Sequence, residues 1–178
     1  SSFSSLITLL AGEVEMIKSA VIDATGKYRY ELIRAWAEGP QLGWIMLNPS
    51  TADAPQDDPT LRRRTPFSRA WGFGSLRVVN LFAYRNTYPA DLWRLPKDQR
   101  IGEENDDAIR RARRACEHLV AAWGAFPQAS DRVTQMIQSC RLQRLWCLGE
   151  TKDRHPRHPL YAAGHLWPRV FIDQRIRR

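Results

Sequence analysis

The chain has 178 residues, 43% apolar and 26% charged, which suits a single domain with a core of ordinary size. No apolar stretch is long enough to span a bilayer, which points away from an embedded membrane protein. Lys and Arg outnumber Asp and Glu by 27 to 19, a net charge of +8 that favours phosphate backbones, anionic surfaces or acidic partners.

In chain order, Phe3 to Val14 is mildly apolar but has no basic start and no small-residue cleavage site. It reads as an N-terminal helix or arm, not a signal peptide. Ser19 to Trp36 reads as a β-hairpin, two β-rich runs (Ala20 to Asp23 and Tyr28 to Ile33) about a turn at Thr25-Gly26-Lys27. Gly43 to Leu47 is continuously apolar, as a strand buried on both faces requires. Asp58 or Thr60 can cap a helix running toward Trp71 and stopped by Gly72 or Gly74. Arg77 to Phe82 reads as a second buried strand. Glu103 to Cys116 has helical spacing, with Ile109 and Ala112 inward and its arginines outward. Leu119 to Trp123 is a third strand, Arg132 to Gln138 a helix, and Arg144 to Gly149 a fourth strand.

Strands alternating with helices imply an α/β domain. The expected architecture is a three-layer αβα sandwich about a central, mostly parallel four-stranded sheet, with residues 43–170 as core and 1–42 as a helix and hairpin extension. Cys116, Cys140 and Cys147 lack CxxC spacing and sit in apolar segments, so they read as reduced core thiols of a cytoplasmic protein. Four histidines without paired cysteines make a poor zinc set, and no metal or cofactor is expected.

Ligands of such sheets bind beyond the carboxyl ends of the strands. Each apolar run here leads straight into polar or glycine-containing sequence: Asn48-Pro49-Ser50, Asn80 with Tyr84-Arg85, Trp123-Gly124, and Gly149-Glu150-Thr151-Lys152. Proline keeps Asn48 out of helical conformation, and a fixed amide there can orient water or read a base edge. Asp53, Asp57 and Asp58 follow; they can activate water or bind a divalent metal, although helix capping is the simpler role for the last two. His155 and His158 each precede a proline, in a stiff basic loop suited to holding an imidazole against substrate. Arg62-Arg63-Arg64, Arg85, Lys152 and Arg157 are candidates for phosphate contact, and Arg110-Arg111 with Arg113-Arg114 forms a further basic cluster. Phe73, Tyr84 and Trp123 are candidates for stacking on a base, whereas Phe82 and Trp71 read as core.

The runs Asn48 to Asp53, Asp58 to Arg62, Trp71-Gly72-Phe73, Asn80 to Ala83, Asn105-Asp106, Ala122-Trp123-Gly124 and His158-Pro159-Leu160-Tyr161 resemble a bacterial and phage domain family of unknown function. By motif order the chain is also similar to the uracil-DNA glycosylase superfamily. Asn48-Pro49 matches the first-loop element that holds the attacking water, and Asn80 matches the asparagine that reads the flipped base, with Arg85 at similar spacing. Ala122-Trp123-Gly124 matches an apolar strand ending in Trp-Gly. His158-Pro159 matches the late loop that holds the base, with His155-Pro156 competing. The aspartate of the uracil-specific branch is absent from the first loop, and Thr51 to Arg64 matches no motif of that superfamily.

The resemblance implies a DNA N-glycosylase acting on a flipped, modified base, with foreign DNA as a source given the family's distribution. Asn48, Asp53 and His158 would be catalytic. Asn80, Pro49, Ser50, Phe73, Tyr84 and Trp123 would hold the base. The partner would be DNA and the protein a monomer. Two other readings stay open at this point: a non-catalytic reader of modified or single-stranded nucleic acid, and a metal-dependent nuclease using Asp53, Asp57 and Asp58.

Overall fold

The computed structural model describes residues 3–4, 7–8, 16–51 and 59–175, the first two pairs by backbone alone. The N-terminal arm contributes two short strands, β1 (Phe3–Ser4) and β2 (Ile7–Thr8), both antiparallel to β3 (Ile17–Ile22). β3 and β4 (Arg29–Ala35) form the expected hairpin, its turn held by the Tyr28 N–H donating to Asp23 Oδ1 at 3.0 Å.

Four parallel strands form the centre: β5 (Gln41–Met46), β6 (Ser75–Asn80), β7 (His118–Ala121) and β8 (Arg144–Cys147), in spatial order β6-β5-β7-β8. The sheet does not stop there. β4 pairs antiparallel with β6, and β9 (Arg169–Asp173) pairs antiparallel with β8, giving a mixed sheet of seven strands, β3 to β9, edged by β1 and β2.

The hairpin is therefore part of the main sheet and not an extension beside a four-stranded core. The reason lies in β4, where Arg29, Tyr30, Glu31 and Leu32 are all buried. Its alternating charges suggest a solvated face. Instead, Glu31 accepts from Arg77 Nη1 of β6 at 2.9 Å and from Arg111 Nε of α4 (Asn105–Ala115) at 2.6 Å. Opposed charges satisfied across the sheet let a polar-looking strand sit in the interior.

Successive strand residues face opposite sides. Ile45, Val79, Leu119 and Leu145 enter a core beneath α4 and α5 (Ser130–Ser139), with Ile109 and Ala112 fully buried as expected. Trp44, Met46, Val78 and Val120 enter a second core beneath α1 (Pro59–Ala70), which contributes Leu61 and Phe67. Helices thus cover both faces of the sheet. Thr60 lies inside α1 and does not cap it; Asp58 is outside the described residues. Gly72 closes the helix at φ 86°. Two short helices not expected from the sequence, α2 (Pro89–Leu92) and α3 (Lys97–Ile101), link β6 to α4. No helix among the described residues is long and apolar enough to cross a membrane.

Candidate functional site

From β5 the chain moves to β6 on one side, and from β7 to β8 on the other, so the strand order reverses between β5 and β7. Loops leaving such a point diverge and open a crevice at the carboxyl ends of the strands. A cleft of about 180 Å³ lies there. Asn48, Pro49 and Ser50 line it from the end of β5, Asn80 from β6, Trp123 from β7, and His158 from the late loop. It shares Thr60, Thr87, Pro89, Phe126 and His158 with a more apolar trough of about 650 Å³, which Arg157, Leu160 and Tyr161 also border.

Asn48 is fixed by its own amide, whose nitrogen donates to the Pro49 carbonyl at 3.1 Å and the Asn86 carbonyl at 2.9 Å. The Pro49 carbonyl also accepts from the Asn86 N–H at 3.0 Å, tying the loop after β5 to the loop after β6. With both N–H donors engaged, Oδ1 is the group Asn48 can offer a ligand, and it is an acceptor.

Asn80 is only 3% exposed, yet it lines the cleft and its side-chain amide has no hydrogen-bond partner among the described residues. Buried amides are ordinarily satisfied, so an open donor and acceptor pair beside a cavity points to a ligand. The backbone under it is held firmly. Buried Asn105 donates from Nδ2 to the carbonyls of Asn80 at 2.9 Å and Leu81 at 3.1 Å. Arg132 Nε donates to the same Leu81 carbonyl at 2.7 Å, and its Nη2 pairs with Asp106 at 2.7 Å.

His158 caps a 3₁₀ turn, Pro159–Tyr161, where the Leu160 N–H donates to its Nδ1 at 3.3 Å. In the neutral ring the proton then sits on Nε2, making that atom a donor. His155 does not line the cleft; its backbone closes a turn with Thr151 instead. Trp123 is 2% exposed, and its ring meets Phe171 edge-on at 5.9 Å, so it is both core and cleft wall.

The remaining candidates separate. Phe73 precedes β6, at the opposite end of the sheet, where it packs edge-on against His118; it is remote from the cleft because it enters the strand whose far end carries Asn80. Tyr84 is half-buried, its ring edge-on to Tyr28 at 5.6 Å. Arg85 donates to the carbonyls of Gly26 at 3.1 Å and Thr51 at 3.0 Å, stapling the hairpin turn to the loop after β5. The arginine triplet of α1 diverges, as helical geometry demands. Arg62 is exposed, Arg63 donates to the Ala162 carbonyl at 2.6 Å, and Arg64, 4% exposed, lines the cleft. Lys152 is exposed beside the trough-lining Thr151. Asp53, Asp57 and Asp58 lie outside the described residues; among those described, no group of three or more His, Cys, Asp or Glu could hold a metal.

Sequence reasoning passed over several walls of the cleft, namely Arg29, Asn86, Thr87 and Phe126. Asn86-Thr87 could have been found, since both follow the Asn80 strand in a polar run. Arg29 could not, because only the unexpected β4–β6 pairing brings it to the site.

No curated protein and no solved structure matches the chain. A family model described as "Protein of unknown function (DUF1643)" matches residues 29–160, a span that begins at Arg29 and encloses every residue lining the cleft. The chain belongs to the DUF1643 family.

Proposed function

We propose that the protein hydrolyses the N-glycosidic bond of a nucleobase turned out of a DNA strand. The observation that carries this reading is the open amide of Asn80, walled by Trp123 and faced by Asn48 and His158 across one small cleft. An asparagine amide offers a donor and an acceptor side by side, the complement of an amide-like base edge. Trp123 and Phe126 supply apolar walls for a flat ring.

Each remaining group has a task. Cleavage separates C1′ of the sugar from the base nitrogen, and the bonding electrons leave with the base. The Nε2–H of His158 stabilises the resulting negative charge. Water adds to C1′, oriented by Asn48 Oδ1, which accepts a hydrogen bond from it. An oxocarbenium-like sugar needs a placed water more than a strong base, so an amide suffices until the product proton reaches solvent. Asp53, five residues further along the chain, is a candidate to receive that proton before solvent does. Excess positive charge supplies the general attraction to DNA.

The test is incubation of the full chain with DNAs carrying a panel of modified bases, then mass spectrometry of released free base. The reading requires free base and an alkali-labile site from at least one substrate, with activity that survives EDTA. Loss of the product with EDTA, with strand breaks and no free base, would favour a metal-dependent nuclease. Retained binding without any product would favour a reader of modified DNA.

A further inference from the structure

At the amino ends of β7 and β8, opposite the candidate site, lies another cleft of about 290 Å³. Four arginines border it: Arg113 from the last turn of α4, Arg141 and Arg144 at the entry to β8, and Arg175 beyond β9. Two carboxylates stand among them. Glu117 lines the cleft, and Asp173 pairs with Arg144 at 3.1 Å and Arg175 at 2.9 Å. Cations therefore exceed anions in the cleft.

Arg141 is the most informative of the four. α5 ends in a Schellman motif, with the Leu142 N–H donating to the Ile137 carbonyl at 3.0 Å and the Arg141 N–H to the Gln138 carbonyl at 3.2 Å. The turn puts Arg141 at φ 53°, in the left-handed region where glycine is the relaxed choice. A cation complements a helix C-terminus from anywhere in the last turn, so the dipole does not require an arginine at this position. Its guanidinium has no partner among the described residues. Its carbonyl accepts from Arg113 Nη1 at 3.4 Å, which draws the two arginines together.

The aromatic groups in the cleft are already engaged. The Arg144 guanidinium covers the Trp146 ring at 4.9 Å, and His118 meets Trp146 edge-on at 5.3 Å. Little open ring face remains to stack a base, so the cleft offers guanidinium groups that suit phosphate.

We propose that this cleft is a second nucleic-acid contact, binding the phosphodiester backbone without reading bases. It is separated from the candidate site by the length of the sheet, about 20 Å for the six residues of β5. At about 3.4 Å per base step, only a segment of more than about six nucleotides can reach both. The proposal concerns binding alone and is tested apart from base release.

The test measures the affinity of the full chain for a DNA of about 30 base pairs by fluorescence anisotropy over a salt series. Arg141→Gly is expected to raise Tm, because glycine relaxes the turn, while DNA affinity falls about three- to tenfold and the salt slope shrinks by about one. Arg141→Lys, which keeps the charge, should recover most of the affinity. Affinity and slope unchanged in Arg141→Gly would overturn the proposal, as would equal binding by the Gly and Lys variants. Saturable ATP binding that Arg141→Gly abolishes, with DNA affinity intact, would overturn it in favour of a small-anion site.

Discussion

Asn80 and Asn105 illustrate two uses of the same side chain. Asn105 is fully buried and spends its amide nitrogen on two backbone carbonyls, whereas Asn80 is buried with its amide open to the cleft. Both lie in segments that carry the family resemblance, and sequence alone could not tell which amide faces the cleft and which supports the backbone. Asn105→Ala removes two hydrogen bonds, taking this donor from the Asn80 carbonyl and leaving the Leu81 carbonyl to Arg132, so it should cost about 2–4 kcal/mol in urea unfolding. A change below about 0.5 kcal/mol would show that the end of β6 does not depend on it. The places of Asn48, His158 and Trp123 on the cleft were legible because each sits directly after an apolar run or beside a proline. Tyr84 leaves the cleft end of β6 but packs on Tyr28 of the hairpin, and Phe73 lies at the other end, since proximity in sequence to a strand does not say which end is meant. For Phe73 the strand had yet to begin.

The four central strands and the two main flanking helices follow from apolar runs and helical spacing, and they appear near the expected positions. β9 was missed although Val170-Phe171-Ile172 is apolar, because its half-exposed edge position weakens the pattern. β4 was placed correctly beside β3, but its second neighbour β6 was missed, since that pairing is set by the buried Glu31 network and not by its own alternation. The fit between β5 and α4 can be tested at Gly43. A Cβ there would collide with Leu119 Cδ2 and press on Cys116 Sγ at 3.1 Å. Gly43→Ala should therefore destabilise by about 1–3 kcal/mol despite the better intrinsic propensity of alanine. Thermal unfolding would check it, and an unchanged Tm would mean that the Leu119 and Cys116 side chains give way.

Across the molecule, the candidate cleft and the proposed phosphate contact lie at opposite ends of the sheet. Cys116, Cys140 and Cys147 are all buried as free thiols, in keeping with a packing role. Burial pushes the Cys116 thiol from 9.0 up to about 12 and raises Cys140 as well. At pH 8 the Cys116 thiolate is then on the order of one part in ten thousand, so native protein should resist iodoacetamide that labels all three thiols after unfolding. Rapid labelling of one thiol in native protein would contradict this, as read by intact mass. The same shift makes stability fall above pH 9, where the unfolded chain ionises first, on toward pH 12. At the carboxyl end, the central claim is that the cleft performs chemistry and does not merely hold a base. The most direct measurement is the single-turnover rate of free-base release by wild type and Asn48→Ala, with DNA affinity determined on the same samples. Asn48→Ala should lose about two orders of magnitude in rate and keep its affinity within about threefold, because a placed water is lost and the base contacts remain. Equal rates in the two proteins, or no base released by the wild type from any substrate it binds, would contradict it.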